Sequence, residues 1–159
     1  MPKTTLDEID LSILAALQRD ARMTNADLAE AVGLSPSPCL RRVRSLEQRG
    51  LIRGYRADLD RLRVGLGLTA FVTVKAERHH LPTTNPITDA LVAMPEVISC
   101  HLVSGDADFL LQVVVPSLEH YEAFLFDKLL PLPGIHDIRS SFALRTFKAD
   151  GPLPIPEEF

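Results

Sequence analysis

Ser37, Arg41 and Arg44 stand at i, i+4 and i+7, the spacing that lines up side chains on one face of a helix. Arg42, Ser45 and Arg49 form the adjacent row, and Gln48 also points outward. A guanidinium offers a rigid fork of N–H donors that fits phosphate oxygens and the major-groove edge of guanine. Serine and glutamine are shorter readers of the same surface. The chemistry written here is therefore recognition of a duplex. The competing reading, an arginine-rich but merely solvated helix face, has to be weighed against the elements that carry the row.

Those elements read as two short helices joined by a glycine turn. Thr24 caps the first, with Asp27 three residues on and Leu28 and Val32 on its inner face. Gly33 ends it, where a positive φ is wanted. Ser35 caps the second helix and Pro36 takes its first position, where a missing N–H costs nothing. Leu40, Val43 and Leu46 are expected to face the core. A further helix precedes the pair: Thr5-Leu6-Asp7-Glu8 has capping-box spacing, and Leu6, Ile9, Ile13, Leu14 and Leu17 form an apolar stripe. Three helices over residues 5–50 make a trihelical unit that Gly50 closes. Leu51–Ala57 alternates and is expected to leave the unit as a strand, a small wing. The combination of caps, turn and outward arginines favours DNA over a solvated face.

The net charge of −4 does not oppose this, because it is unevenly spread. From Ser35 to Arg63, Arg41, Arg42, Arg44, Arg49, Arg53, Arg56, Arg61 and Arg63 face only Glu47, Asp58 and Asp60. An acidic body with one basic segment limits nonspecific sticking while steering that segment to phosphates. No apolar run reaches membrane-spanning length and no signal peptide opens the chain, so a cytoplasmic protein without a membrane partner is expected. Cys39 and Cys100 are too isolated for a metal site or a disulfide reading. Cys39 is expected to be buried or on a helix face, and Cys100 to lie on a strand.

The second half changes rhythm. Ala70–Glu77 alternates as a strand, Ile87, Ala90, Leu91 and Met94 mark a helix, Val97–Ser104 and Phe109–Val115 are strands about a turn at Gly105–Asp108, and Ser117 caps a helix with Leu118, Tyr121, Leu125 and Leu129 inward. Gly134 opens a last strand carrying Ile138, Ser140, Phe142 and Leu144 on one side. Met94-Pro95-Glu96-Val97-Ile98 and Leu132-Pro133-Gly134-Ile135-His136 repeat one pattern of helix end, proline turn and strand start. The fold class is α+β: an N-terminal winged helix-turn-helix domain (1–58), a linker (59–66), and a ferredoxin-like β-α-β-β-α-β domain (67–159).

From Leu6 to Leu153 the chain resembles the Lrp/AsnC, or feast/famine, family of bacterial and archaeal transcription regulators. The resemblance is carried by LDEIDLSILAALQRDAR, DLAEAVGLSPSPCLRRVRSLEQRGLIRGYRADLD, VSGDADFLLQVVV and LPGIHDIRSSFALRTFK. It implies a helix-turn-helix over about Asn25–Arg44, with Ser35–Arg49 as recognition helix and Ser35, Ser37, Pro38, Arg41, Arg42, Arg44, Ser45 and Arg49 at DNA. It also implies a C-terminal domain that dimerises and senses small molecules, usually amino acids. Gly105, Asp106 and Asp108 match the family's glycine-acid turn, which contributes to an amino-acid pocket between dimers. An acidic side chain suits an α-ammonium, and glycine lets backbone N–H groups approach an α-carboxylate. Read by residue type alone, the same turn is a hairpin connection. Val103, Ser104, Leu110 and Ser140 are the neighbours expected to set side-chain selectivity.

The partners expected are thus double-stranded DNA bearing a pseudo-palindromic operator, an amino-acid effector, and further copies of the chain, as a homodimer assembling to a tetramer or octamer. No cofactor, metal or catalytic residue is expected. Residues 78–86 form a polar loop without a matching motif, and His79-His80 would face opposite sides of a strand. Two other readings stay open. One is a tetrapyrrole (siroheme-type) decarboxylase on the same fold, with His101 its best candidate. The other is an amino-acid-binding module without DNA activity.

Overall fold

The computed structural model describes residues 6–76, 86–149 and 151–156. Thr5 of the expected capping box, Glu77, and most of the polar loop with His79-His80 lie outside the described residues. The chain divides into two compact units, Met1–Asp58 with Lys148–Phe159, and Leu59–Phe147. The expected boundaries differ at two places. The tail from Lys148 groups with the first unit rather than the second. Residues 59–66, expected as a linker, belong to the second unit and fold into turns, with Leu66 N–H donating to Arg61 O at 2.7 Å.

The first unit holds α1 (Glu8–Arg19), α2 (Asn25–Ala31) and α3 (Pro36–Gln48). Asp7 is the N-cap of α1, accepting from Asp10 N–H at 2.8 Å, so the helix starts later than the Thr5 spacing predicts. At α2, the Thr24 hydroxyl accepts from Asp27 N–H at 3.2 Å and donates to the Asp27 carboxylate at 2.6 Å. Gly33, at φ 70°, closes α2: Leu34 N–H reaches Ala29 O at 2.8 Å and Gly33 N–H reaches Glu30 O at 3.2 Å. This paired closure needs the left-handed conformation that glycine adopts without a Cβ penalty. The core is Ile13, Ala16, Leu28, Ala29, Cys39 and Leu46, with Leu6, Ile9, Leu14, Leu17, Val32 and Val43 packed around it.

Two expectations for this unit are corrected. Cys39, not Leu40, completes the inner face of α3. The segment 51–57 forms no strand, since no ladder partner faces it among the described residues. Within it, Tyr55 donates its hydroxyl to Glu47 at 3.0 Å. In the tail, the Leu153 N–H donates to Gln18 Oε1 at 2.6 Å, and Gln18 Nε2 donates to Leu153 O at 3.3 Å.

The second unit is a sheet of order β2-β3-β1-β4, antiparallel throughout: β1 (Leu68–Ala76), β2 (Val97–Leu102), β3 (Phe109–Val115) and β4 (Ile135–Phe142). With α4 (Pro86–Ala93) and α5 (Leu118–Ala123) this is the ferredoxin-like arrangement expected. Ala70, Val72, Val74 and Ala76 of β1 and Phe109, Leu111, Val113 and Val115 of β3 form one apolar face. Ile87, Leu91, Tyr121, Phe124 and Leu129 of the helical layer pack on it. Here too the details differ. Leu118 is exposed and Phe124 is buried, and α5 continues as a π-helical segment, Phe124–Leu129, that ends on buried Leu129. The alternation past Phe142 ends with the strand, and Leu144 is fully exposed. Cys39 is buried and Cys100 half-buried on β2, and burial pushes both thiols up. Among the described residues no helix is long and apolar enough to cross a membrane.

Candidate nucleic-acid interface and effector turn

Successive residues of a helix are rotated by about 100°, so the angular order of α3 follows from its sequence. Ser37, Arg41, Arg44 and Gln48 fall within one narrow arc, and Cys39, Val43 and Leu46 fall opposite it, in the core. Ser37, Leu40, Arg41, Arg44, Ser45 and Gln48 together line a shallow concavity of about 360 Å³. Among the described residues no hydrogen bond or ion pair engages the Arg41 or Arg44 side chain, and both are exposed. The caps set this face. Pro36 opens the helix, and Asn25 Nδ2 donates to Pro36 O at 2.8 Å, tying α2 to the start of α3. Ser35 is the N-cap by backbone conformation, but its side chain makes no capping hydrogen bond. Pro38 is half-buried on the flank.

Arg42 and Arg49, one heptad apart, share the flank that meets α1. Arg42 Nη1 donates to Asp7 at 2.7 Å and to Asp10 at 2.8 Å, and Arg49 approaches Asp10 at 3.9 Å. Asp10 is only 7% exposed, and the two arginines face its carboxylate. The row Arg42–Ser45–Arg49 thus exists as expected, but the Arg42 guanidinium is engaged with carboxylates of α1. The two carboxylates raise the Arg42 pKa. Asp7 lies below the usual carboxylate range, chiefly through the Asp10 N–H it accepts; burial opposes this next, and the Arg42 hydrogen bond and charge add to the lowering.

The sign gives a pH prediction. A depressed carboxylate contributes stability that is present above its unfolded value, near 3.8, and lost as pH falls through its lower folded value. Between pH 5 and 3, urea denaturation of the first unit should show the wild type losing stability that Asp7→Asn does not lose. The exposure of Asp7 keeps the difference to about 1 kcal/mol or less.

The second site expected is the turn between β2 and β3. Val103 N–H donates to Asp108 O at 2.9 Å, which closes the turn, and Gly105 sits at φ 118°. Asp108 faces inward: its N–H donates to Val74 O at 3.0 Å and its carboxylate accepts from Ala76 N–H at 2.8 Å. Asp106 and Ser104 are exposed. Val103, Ser104, Gly105, Asp106 and Asp108 are therefore together. Leu110 follows on the sheet face away from the helices, opposite Thr73 and His101. Ser140 is not brought to this turn. It pairs with Val72 across β4 and β1, with all of β1 between it and β3, and its hydroxyl is bonded to that of Tyr121. Burial raises the Tyr121 phenol and the Ser140 bond opposes it.

Gln48, expected to point outward as a short reader, lines the α3 concavity, and so does Leu40, which was expected to face the core. The phase of the helix identifies Leu40. Among the described residues no cluster of three or more His, Cys, Asp or Glu is arranged to hold a metal ion.

Comparison with known proteins agrees with this division of labour. Residues 6–53 match the family described as winged helix-turn-helix DNA-binding, and residues 69–153 match the Lrp/AsnC ligand binding domain. The Bkd operon transcriptional regulator of Pseudomonas aeruginosa is 45% identical over 141 residues, covering 89% of this chain and 92% of the relative. The leucine-responsive regulatory protein of Escherichia coli K12 is 40% identical over 154 residues, covering 97% and 94%. A transcriptional regulator of Neisseria meningitidis, solved as a complex with L-Met, superposes with a TM-score of 0.85 at 39% identity, covering 94% of this chain and 97% of that one. The chain belongs to the Lrp/AsnC family of transcription regulators, with a DNA-binding helix-turn-helix unit and a ligand-binding ferredoxin-like unit.

Proposed function

We propose that α3 enters the major groove with Ser37, Arg41 and Arg44 at base edges or groove phosphates, and with Ser35, Ser45 and Arg49 toward the backbone. The observation that carries this is the exposed Arg41–Arg44 face, whose charge no carboxylate among the described residues neutralises. Arg42 acts indirectly, by fixing α3 against α1. One helix makes too few base contacts for selectivity. Two copies related by a two-fold read a pseudo-palindrome with half-sites about one DNA turn apart. The functional unit in this reading is a cytoplasmic homodimer or a larger even assembly, and no residue is given a catalytic role.

The effector is an amino acid, held at the Val103–Asp108 turn. Asp106 supplies the carboxylate for the α-ammonium, and Gly105 permits close approach of backbone N–H groups to the α-carboxylate. Asp108 shapes the turn through Ala76. The leucine-responsive and L-Met-bound relatives support an effector with an apolar side chain. Titrating the chain with each amino acid, while following melting temperature, sedimentation and mobility of a bound duplex, tests both halves. At least one apolar amino acid should change one of these readouts, and Asp106→Asn should weaken that response about tenfold or more, since hydrogen bonds to charged groups contribute about 1.5–3 kcal/mol. Silence to every amino acid removes the effector assignment. Failure to retard any duplex at low ionic strength removes the α3 assignment. A shifted absorption band on adding a porphyrin would argue for the tetrapyrrole reading instead.

A further inference from the structure

We propose that Leu40 is a specificity residue that contacts the C5-methyl group of a thymine in each half-site. The proposal rests on the DNA-binding reading of α3 and deepens it. Leu40 is 38% exposed, although the core of its unit is filled from the same helix by Cys39 and Leu46, each fully buried. It lies in the same concavity as Ser37, Arg41, Arg44, Ser45 and Gln48, and no other side chain lining that concavity is apolar. A single exposed leucine is ordinary on a protein surface. This one sits among the donors of a charged face, with Ser37 one turn before it and Arg44 one turn after.

The chemistry of the major groove narrows its partner. Guanine, adenine and cytosine present donors and acceptors there, and thymine alone adds a methyl group. An aliphatic side chain pressed on a polar base edge strips water from it and returns no hydrogen bond. Pressed on the thymine methyl, the same chain buries apolar surface on both partners. Leu40 therefore both favours thymine and penalises cytosine at one position, while Arg41 and Arg44 supply the charge.

The test uses the full chain and a duplex selected by it from a random-sequence library. Each thymine of one half-site is replaced in turn by deoxyuracil, which lacks only the methyl. At one position the replacement should weaken wild-type binding about fourfold, the effect of one buried methyl-sized group. That sensitivity should vanish in Leu40→Ala and persist in Leu40→Met. If Leu40→Ala does not fold, as judged by its melting curve, Leu40→Gln takes its place, keeping length without the branched methyls. The assignment is overturned if every deoxyuracil affects wild type and variant alike. It is also overturned if selection yields no preferred sequence while duplex binding with steep salt dependence remains, and in that case the charge-based role of α3 stands. If no duplex is bound at low ionic strength, both readings fall.

Discussion

Arg41→Ala combined with Arg44→Ala is expected to weaken binding to a selected duplex at least about thirtyfold per half-site, taking the lower end of the about 1–3 kcal/mol assigned to each base-reading arginine. The two side chains are exposed, share one face, and have no carboxylate partner among the described residues. Their removal takes nothing from the packing of the unit, so the loss is a loss of contact. The single variants separate two mechanisms. An arginine on a base edge relaxes preference at one position when removed. An arginine on a phosphate weakens all duplexes alike and lowers the slope of log affinity against log salt by about 0.9. Arg42→Met is the control: its charge already faces Asp7 and Asp10, so the salt slope should stay that of the wild type. A slope that falls more for Arg42→Met than for Arg41→Ala would exchange their roles.

Much of this was legible in the sequence wherever one pattern dominated its neighbours. Phe109–Val115 begins and ends as its apolar run predicts, because it is a central strand with β1 and β2 on its two sides. The Gly33 turn, the Thr24 cap and Pro36 at the start of α3 are short-range signals, and short-range hydrogen bonds satisfy them. Leu40 was misjudged for a geometric reason. A series at i, i+3, i+6 drifts by about 60° per step, so Leu40 stands about 120° away from Leu46, whereas Cys39, Val43 and Leu46 at i, i+4, i+7 stay within about 60°. A small cysteine gives a weak hydrophobic signal beside a leucine, and the composition of the stripe outweighed its phase.

The partners of Arg42 were not legible at all. Asp7 and Asp10 lie some thirty positions upstream, and nothing local distinguishes an arginine that meets a carboxylate from one that meets a phosphate. The same limit applies to Ser140. Residue type suits a polar pocket, yet sheet order leaves it across β1 from the turn it was grouped with, beside the Tyr121 hydroxyl. Leu51–Ala57 shows the converse: alternation predicts a strand, but a strand needs a partner to pair with.

Leu46→Ala is expected to unfold the DNA-binding unit selectively. Leu46 is fully buried in a core of few large side chains, and replacing such a leucine costs about 2–5 kcal/mol through lost burial and the cavity left behind. A unit this small has little stability in reserve, so the loss approaches the whole of it. The cluster around Leu111 and Phe124 shares no residue with the cluster around Leu46. Calorimetry should therefore show one transition lowered steeply and the other within a few degrees of the wild type. Retardation of DNA should be lost, while the response to an amino-acid effector persists. Leu40→Ala, on the same helix but facing outward, should leave both transitions close to wild type and change only the reading of one base. Cooperative melting of the whole chain at the lowered temperature would mean that the two cores hold one another up, and that a single folding unit, not two, carries the arginine face.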